Sequence, residues 1–395
     1  MQNRQIYDRI YIENKKKNPK GTAIQKELCF VSWRLFLFAV MTDTLQNQSN
    51  RSDHILLQPF CTAPRRSHLL IKNDTRQRIH KIGGCRYTLS KRKAVSVLNT
   101  VSFMNKYIMK LHPVYKDIIW GGDRLARAYG KTDGGPKIAE SWELAVHKDG
   151  ICTIMNGEYA GMKLNEYLGS DDFPTLIKLI DACDNLSIQV HPAKTEMWYI
   201  VEAEEGAQLV YGLKEQFDEK VFRKALADGT VEQLLRYVPV HKGDVFFIPT
   251  GLVHAIGKGI LIAEIQQNSN ITYRVYDYNR LQNGKPRELH VEQAIGVIRD
   301  FTEEDIRAAR FSVQPQDKEG SLLASCPYFT TSKHVLTGTK TFTADTSFHC
   351  VICLCGCGHV GEIPIKKGET CFIPEGYGSY PISSDSGMTV LVTHV

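Results

Sequence analysis

The 395-residue chain carries 49 Lys and Arg against 43 Asp and Glu, with 43% hydrophobic and 9% aromatic residues. That composition excludes a disordered, collagen-like or disulfide-framework protein and leaves chain enough for two or three cores. The net charge of +6 hides an asymmetry: residues 1–103 hold 19 basic and 6 acidic residues, residues 104–395 hold 30 and 37.

The basic stretch comes first. Its one apolar run, Leu28–Met41, is 14 residues with Arg34 inside, too short to span a bilayer. A 27-residue polar lead precedes it and no clean small-residue cleavage site follows, which argues against a secretory signal. Lys15–Lys17, Arg65-Arg66 and Lys91–Lys93 are short basic clusters without the aromatic interleaving or motif of a nucleic-acid arm. Residues 1–103 are therefore expected to be a basic, disordered or spurious extension ahead of a start at Met104 or Met109. Eleven irregularly spaced cysteines in a chain of this size read as reduced thiols.

From Tyr107 onward, short strand-like runs alternate with Gly, Asp-Gly and Asn-Gly turns. They are Ile151–Met155, Leu186–Val190, Met197–Val201, Gln208–Tyr211, Val245–Ile248, Gly259–Ile265 and Tyr273–Tyr276. This rhythm predicts a mainly β sandwich or barrel. Helical stripes interrupt it at Phe217–Asp228, Thr230–Tyr237 and His290–Arg299. A weak repeat then sets Lys242–His254 beside Lys367–Ser379: both read K-G-acid-x-x-F-I-P-x-G, and they end on His254 and Ser379. The repeat predicts two β-barrels, a catalytic one with a helical insertion over residues 104–300 and a second over 301–395. The residue ending each copy is expected to point into its barrel. Cys353, Cys355 and Cys357 are expected to share one strand face as a structural row rather than a metal site, so the second barrel has no metal of its own.

The chemistry concentrates between residues 187 and 196. In a strand Ser187, Gln189 and His191 face one side while Ile188 and Val190 face the other. Polar groups on an interior face must bond something. A four-residue loop, Pro192–Thr195, predicts a hairpin that sets His191 opposite Glu196, with Cβ atoms about 4.5–5.5 Å apart. With His254 from the Pro-x-Gly turn, the donors Gln189, His191, Glu196 and His254 suit Zn²⁺, with Fe²⁺, Mn²⁺ and Co²⁺ nearly as well served.

These residues sit in a wider set of motifs. Gly243…Pro249-x-Gly251-x-x-His254 resembles the second motif of the cupin superfamily. Tyr115–Gly122 (YKDIIWGG), Glu140–Glu143 (ESWE), Leu186–Pro192 (LSIQVHP), Lys194–Tyr199 (KTEMWY) and Glu264–Tyr278 (EIQQNSNITYRVYDY) resemble the short form of the type I phosphomannose isomerases, from about Met109 to Val395. The resemblance implies two cupin-like jelly-roll barrels and one Zn²⁺ per chain held by Gln189, His191, Glu196 and His254. It implies interconversion of mannose 6-phosphate and fructose 6-phosphate through an enediol, with Arg274, Lys194 and Glu264 catalytic and Ser187 near the substrate phosphate. Either Lys194 or Glu264 serves as base, and zinc or Arg274 stabilises the oxyanion. The implied partner is a small sugar phosphate, without nucleic acid or membrane, for a cytoplasmic monomer or weak homo-oligomer. A non-catalytic metal- or sugar-binding cupin and an Fe-dependent cupin oxygenase are the rival classes. The chain departs from the family in residues 1–103 and in its short loop between His191 and Lys194.

Overall fold

The computed structural model describes residues 69–73, 76–80, 105–312 and 320–395, and divides into two units, Met1–Met104 and Asn105–Val395. The described part of the first unit is one antiparallel hairpin, Leu69–Asn73 on Arg76–His80. Leu28–Met41 and the basic clusters Lys15–Lys17, Arg65-Arg66 and Lys91–Lys93 lie outside the described residues.

The second unit is mainly strand. Its first strands are β1 (Met109–His112), β2 (Val114–Lys116), β3 (Glu140–Leu144), β4 (Thr153–Ile154), β5 (Thr175–Ala182) and β6 (Ile188–Val190). Next come β7 (Glu196–Ala203), β8 (Gln208–Leu213), β9 (Leu235–Pro239), β10 (Asp244–Ile248), β11 (His254–Ile256), β12 (Ile260–Gln267), β13 (Tyr273–Tyr276) and β14 (Arg310–Ser312). The last are β15 (Ser321–Cys326), β16 (Phe329–Ala344), β17 (His349–Val360), β18 (Ile363–Lys366), β19 (Thr370–Ile373) and β20 (Gly378–His394).

Three large sheets result, beside two-stranded pairs at Val146–His147 with Gly150–Ile151 and Leu281–Gln282 with Lys285–Pro286. One runs β14-β10-β7-β12-β5-β3-β2, a second β9-β8-β11-β6-β13, and a third β15-β16-β20-β17-β19-β1-β4 with β18 on β17. The first two enclose Ile180, Trp198, Ile200, Leu209, Tyr211, Phe246, Ile256 and Ile262. The opposite face of the first, with Ile177, Leu179, Met197, Tyr199 and Ile265, packs on Phe329, Phe348, Ile352, Phe372 and Leu391 of the third. Two cupin-like jelly-roll barrels were expected; the described strands form a mainly β stack of packed sheets, and among the described residues the ladders close no barrel. Among the described residues no helix is long and apolar enough to cross a membrane.

Helices cover the outer face of the second sheet. Helix α1 (Glu219–Ala227) starts where the Asp218 side chain accepts from the Val221 N–H at 2.9 Å, and buries Phe222 and Ala225. Helix α2 (Val291–Ile295) adds Ala294 and Ile295 to the same cluster, against Ile188, Val190, Ala255 and Val275. The expected helix at Thr230–Tyr237 is instead one 3₁₀ turn, Val231–Leu234, followed by β9. Sheet pairing with β8 overrides the helical stripe there.

The cysteine row also differs from expectation. Cys353 is buried while Cys355 and Cys357 are exposed, because β17 bulges between Cys353 and Cys355 and Gly356 takes φ +75°. A bulge breaks the period-2 alternation on which a one-face row depends.

Candidate metal centre

Strand β6 lies at the middle of the site. Gln189 is directly opposite His254 of β11 on one side and Arg274 of β13 on the other. Directly opposed residues project to the same face, so three strands present a His254–Gln189–Arg274 row toward the first sheet. That sheet answers with Glu196 beside Gln266, and Trp198, Glu264 and Lys178 in one register. The outward partners Ile188 and Val190 sit under the helices.

The expected hairpin is absent, since β6 pairs with β11 and β13 whereas β7 pairs with β10 and β12. The segment 192–195 crosses from one sheet to the other, and His191 meets Glu196 face to face across the core. Their nearest side-chain atoms are 3.7 Å apart, and His254 Nε2 is 3.6 Å from the other Glu196 oxygen. The Pro-x-Gly turn also steadies His191, because the Gly251 N–H donates to its carbonyl at 3.1 Å.

Donor atoms of His191, Glu196 and His254 all lie within 4.8 Å of one another, and all three residues are buried. Each imidazole has Nδ1 on a backbone carbonyl, Ile271 at 2.9 Å for His191 and Leu252 at 2.8 Å for His254. Donation from Nδ1 leaves Nε2 as the bare acceptor. The two Nε2 atoms face each other at 3.1 Å, with the Gln189 amide 3.4 Å from His254 Nε2. Burial lowers both imidazoles, His254 to about 4 and His191 well below its ordinary value with help from Lys194. Neither Glu196 oxygen has a hydrogen-bond donor; Lys194 Nζ makes an ion pair at 2.8 Å without hydrogen-bond geometry. Burial raises the Glu196 carboxyl while Lys194 opposes that rise. Two inward Nε2 lone pairs converge on a buried carboxylate that Lys194 pairs through one oxygen, and this donor set fits a divalent metal.

The other expected residues surround this centre. Lys194 is buried and also donates to Gln266 Oε1 at 3.1 Å. Glu264 accepts from Trp198 Nε1 at 3.0 Å and pairs with Lys178 at 3.2 Å; burial opposes its ionisation, but Lys178 and Lys194 hold it below its ordinary value. Arg274 donates from Nε to Ser187 Oγ at 3.1 Å and from a terminal nitrogen to the Glu288 carbonyl at 2.7 Å. Asp277 is not its partner, because Arg280 and Arg287 occupy both of that carboxylate's oxygens. Gln266, Lys178, Arg280 and Arg287 are the polar neighbours that sequence reasoning missed. For Lys178 the signal was a lysine in the middle of the largely apolar run Thr175–Ala182, whose other charge is Asp181.

The segment 108–208 matches the profile of the type I phosphomannose isomerase catalytic domain, and 318–395 that of the mannose-6-phosphate isomerase cupin domain. The strands of the C-terminal part of the third sheet are thus those of a cupin domain, and the strands from β1 to the start of β8 those of a phosphomannose isomerase catalytic domain. A mannose-6-phosphate isomerase of Streptococcus mutans is 34% identical over 303 residues, 70% of this chain and 94% of that protein. The Bacillus subtilis mannose-6-phosphate isomerase ManA is 37% identical over 298 residues, with coverages of 68% and 94%. A crystal structure of a mannose 6-phosphate isomerase from Bacillus subtilis superimposes with a TM-score of 0.65 at 30% identity, over 74% of this chain and all of that one. The chain belongs to the type I phosphomannose isomerase family.

Proposed function

We propose that the chain is a zinc-dependent mannose-6-phosphate isomerase that interconverts mannose 6-phosphate and fructose 6-phosphate through an enediol, with one metal on Gln189, His191, Glu196 and His254. The observation that supports this reading best is the convergence of a buried carboxylate, two Nε2 lone pairs and a buried lysine in one interior. When bound, zinc would polarise the substrate oxygens as a Lewis acid.

The remaining chemistry belongs to side chains. Moving a proton between C1 and C2 needs one base that reaches both carbons. Lys194 is the better candidate, since both Glu264 oxygens are engaged, by Trp198 and Lys178, and would have to break those contacts first. A metal that takes up the charge of Glu196 would release Lys194 from its ion pair. Arg274 projects from the same row as Gln189 and has no carboxylate partner among the described residues, which leaves its charge to stabilise the developing oxyanion. Ser187, held on Arg274, and the Arg280–Asp277–Arg287 cluster near it give the substrate's phosphate dianion a net-positive lining.

The test is a coupled assay of mannose 6-phosphate to fructose 6-phosphate conversion on the purified chain, with metal analysis of the same sample. Turnover that disappears on chelation and returns with zinc is expected. A chain that binds zinc without converting either sugar phosphate would leave the non-catalytic cupin reading standing instead.

A further inference from the structure

Glu143 is a fully buried carboxylate outside the metal centre, and it is saturated with partners. Lys131 Nζ lies 2.7 Å from one oxygen, which also accepts from Ser141 at 2.6 Å; Thr370 Oγ1 donates to the other at 2.7 Å. Lys131 donates in turn to the Gly368 carbonyl at 2.6 Å. Thr370 and Gly368 belong to β19 and the turn before it, so this buried network joins the first sheet to the third.

The position of Glu143 in its strand is the informative part. Trp142 is opposite Lys178 and Leu144 opposite Ile177, which makes Glu143 the extra residue of a β-bulge. Bulges re-aim the side chains next to them. Immediately before this one, Trp142 Nε1 donates to Glu140 at 2.6 Å, Glu140 lies 3.6 Å from Lys178, and Lys178 stands 5.3 Å over the Trp142 ring. Lys178 pairs with Glu264, Glu264 holds the Trp198 indole, and the Trp198 ring packs edge-on against His254 at 5.4 Å. Through the backbone of β3 from Glu143 to Trp142, these contacts connect Thr370 to a metal-centre histidine.

We propose that Glu143, clamped by Thr370 of the third sheet, is a positioning residue: it holds the bulge in β3 that aims Glu140 and Trp142 at Lys178, and so orders the wall of the reaction site. The C-terminal sheet, which contributes none of the expected site residues, then acts on the site through one buried carboxylate. A merely adhesive contact would affect stability and nothing else.

The experiment compares Thr370→Val, which removes one hydroxyl at nearly constant shape, with Thr370→Ser, which keeps it, in the full metal-loaded chain. For Thr370→Val the kcat for mannose 6-phosphate should fall roughly ten-fold, a size typical of changes along such a contact network. KM and metal stoichiometry should hold, and Thr370→Ser should restore kcat. The indole N–H proton resonance of Trp142, assigned by its loss in Trp142→Phe, should move upfield as its bond to Glu140 loosens. Glu143→Gln should show the same pattern more strongly; if it does not fold, Thr370→Val decides. A lowered Tm with wild-type kcat and an unmoved Trp142 resonance overturns the proposal. The proposal rests on the isomerase reading, yet a wild-type chain without turnover would refute that reading alone, because the Trp142 resonance needs no turnover.

Discussion

The turn from β10 to β11 and the turn from β19 to β20 have nearly the same sequence and half the same geometry. Gly243 and Gly251 take φ +96° and +89°, and their counterparts Gly368 and Gly376 take +86° and +71°. The copies then part. The first continues through Val253 to His254, which is wholly buried at the metal centre. The second passes through Gly378 at φ +92°, and Ser379 emerges exposed, its hydroxyl on Thr343 at 3.0 Å. Tyr380, one residue later, is the one that turns inward, meeting His349 Nδ1 at 2.6 Å. Ser379 was expected to point into the second barrel, and one left-handed glycine rotates it out. A repeated motif thus guarantees a repeated turn, but not a repeated direction for the side chain that follows.

The sharpest way to break this comparison is to remove the donor that only the first region has. His254→Ala takes one of the two imidazoles from the donor set, so metal affinity should fall by more than about 100-fold, the loss typical of a mere supporting partner. Ser379→Ala should leave metal content and turnover at wild-type values. Equal losses in both variants, measured by metal analysis and the coupled assay, would mean the two turns are not functionally distinct.

Arg274 tests the chemistry of the row itself. Arg274→Ala should lower kcat by roughly 10²–10³-fold while zinc stays bound. Arg274→Lys should rescue poorly, because an ammonium does not reproduce the planar fork that reaches Ser187 and the Glu288 carbonyl. A raised KM with normal kcat would move Arg274 into ground-state phosphate binding.

The glycines sharpen the comparison on stability. A Cβ on Gly251 would stand 2.7 Å from Arg299 Cγ and 2.8 Å from the Val297 carbonyl, besides its unfavourable φ. Gly251→Ala should cost on the order of 3 kcal/mol. Gly378 has open space around it, so Gly378→Ala should cost about 1–2 kcal/mol from φ alone. Denaturant titration of both variants checks the order.

The smallest effect concerns acid. Burial lowers His349 and His334 of the third sheet from 6.5 to about 4. Groups with folded pKa values below the unfolded one contribute stability that is complete above pH 6.5 and is lost as pH falls toward 4. His349→Gln with His334→Gln should therefore flatten the decline of Tm between those pH values. An unchanged slope would assign acid lability to other groups.

Much of the site was legible because it is local. The polar–apolar alternation of Ser187–His191 correctly separated the inward Gln189 and His191 from the outward Ile188 and Val190, since strand side chains alternate whatever the strand pairs with. His191, Glu196 and His254, which the structure brings together, were named from residue type, whereas the hairpin spacing that paired His191 with Glu196 is absent. Lys178 was not, because a buried lysine is explained only by Glu140 and Glu264, far from it in the chain.

By itself the sequence determined where several of the central strands lie, which face of β6 is polar, and which residue types could hold a metal. All of these follow from backbone periodicity and turn chemistry within a few residues. Only the tertiary structure decided that β6 and β7 lie in opposing sheets rather than one hairpin, that a bulge turns Glu143 toward Thr370, and that Ser379 faces out. Those outcomes depend on which distant strand a segment pairs with, and a short loop such as 192–195 is compatible with turning back along a partner or crossing the core. Packing of the three sheets chose the crossing, and that choice brings His191, Glu196 and His254 together.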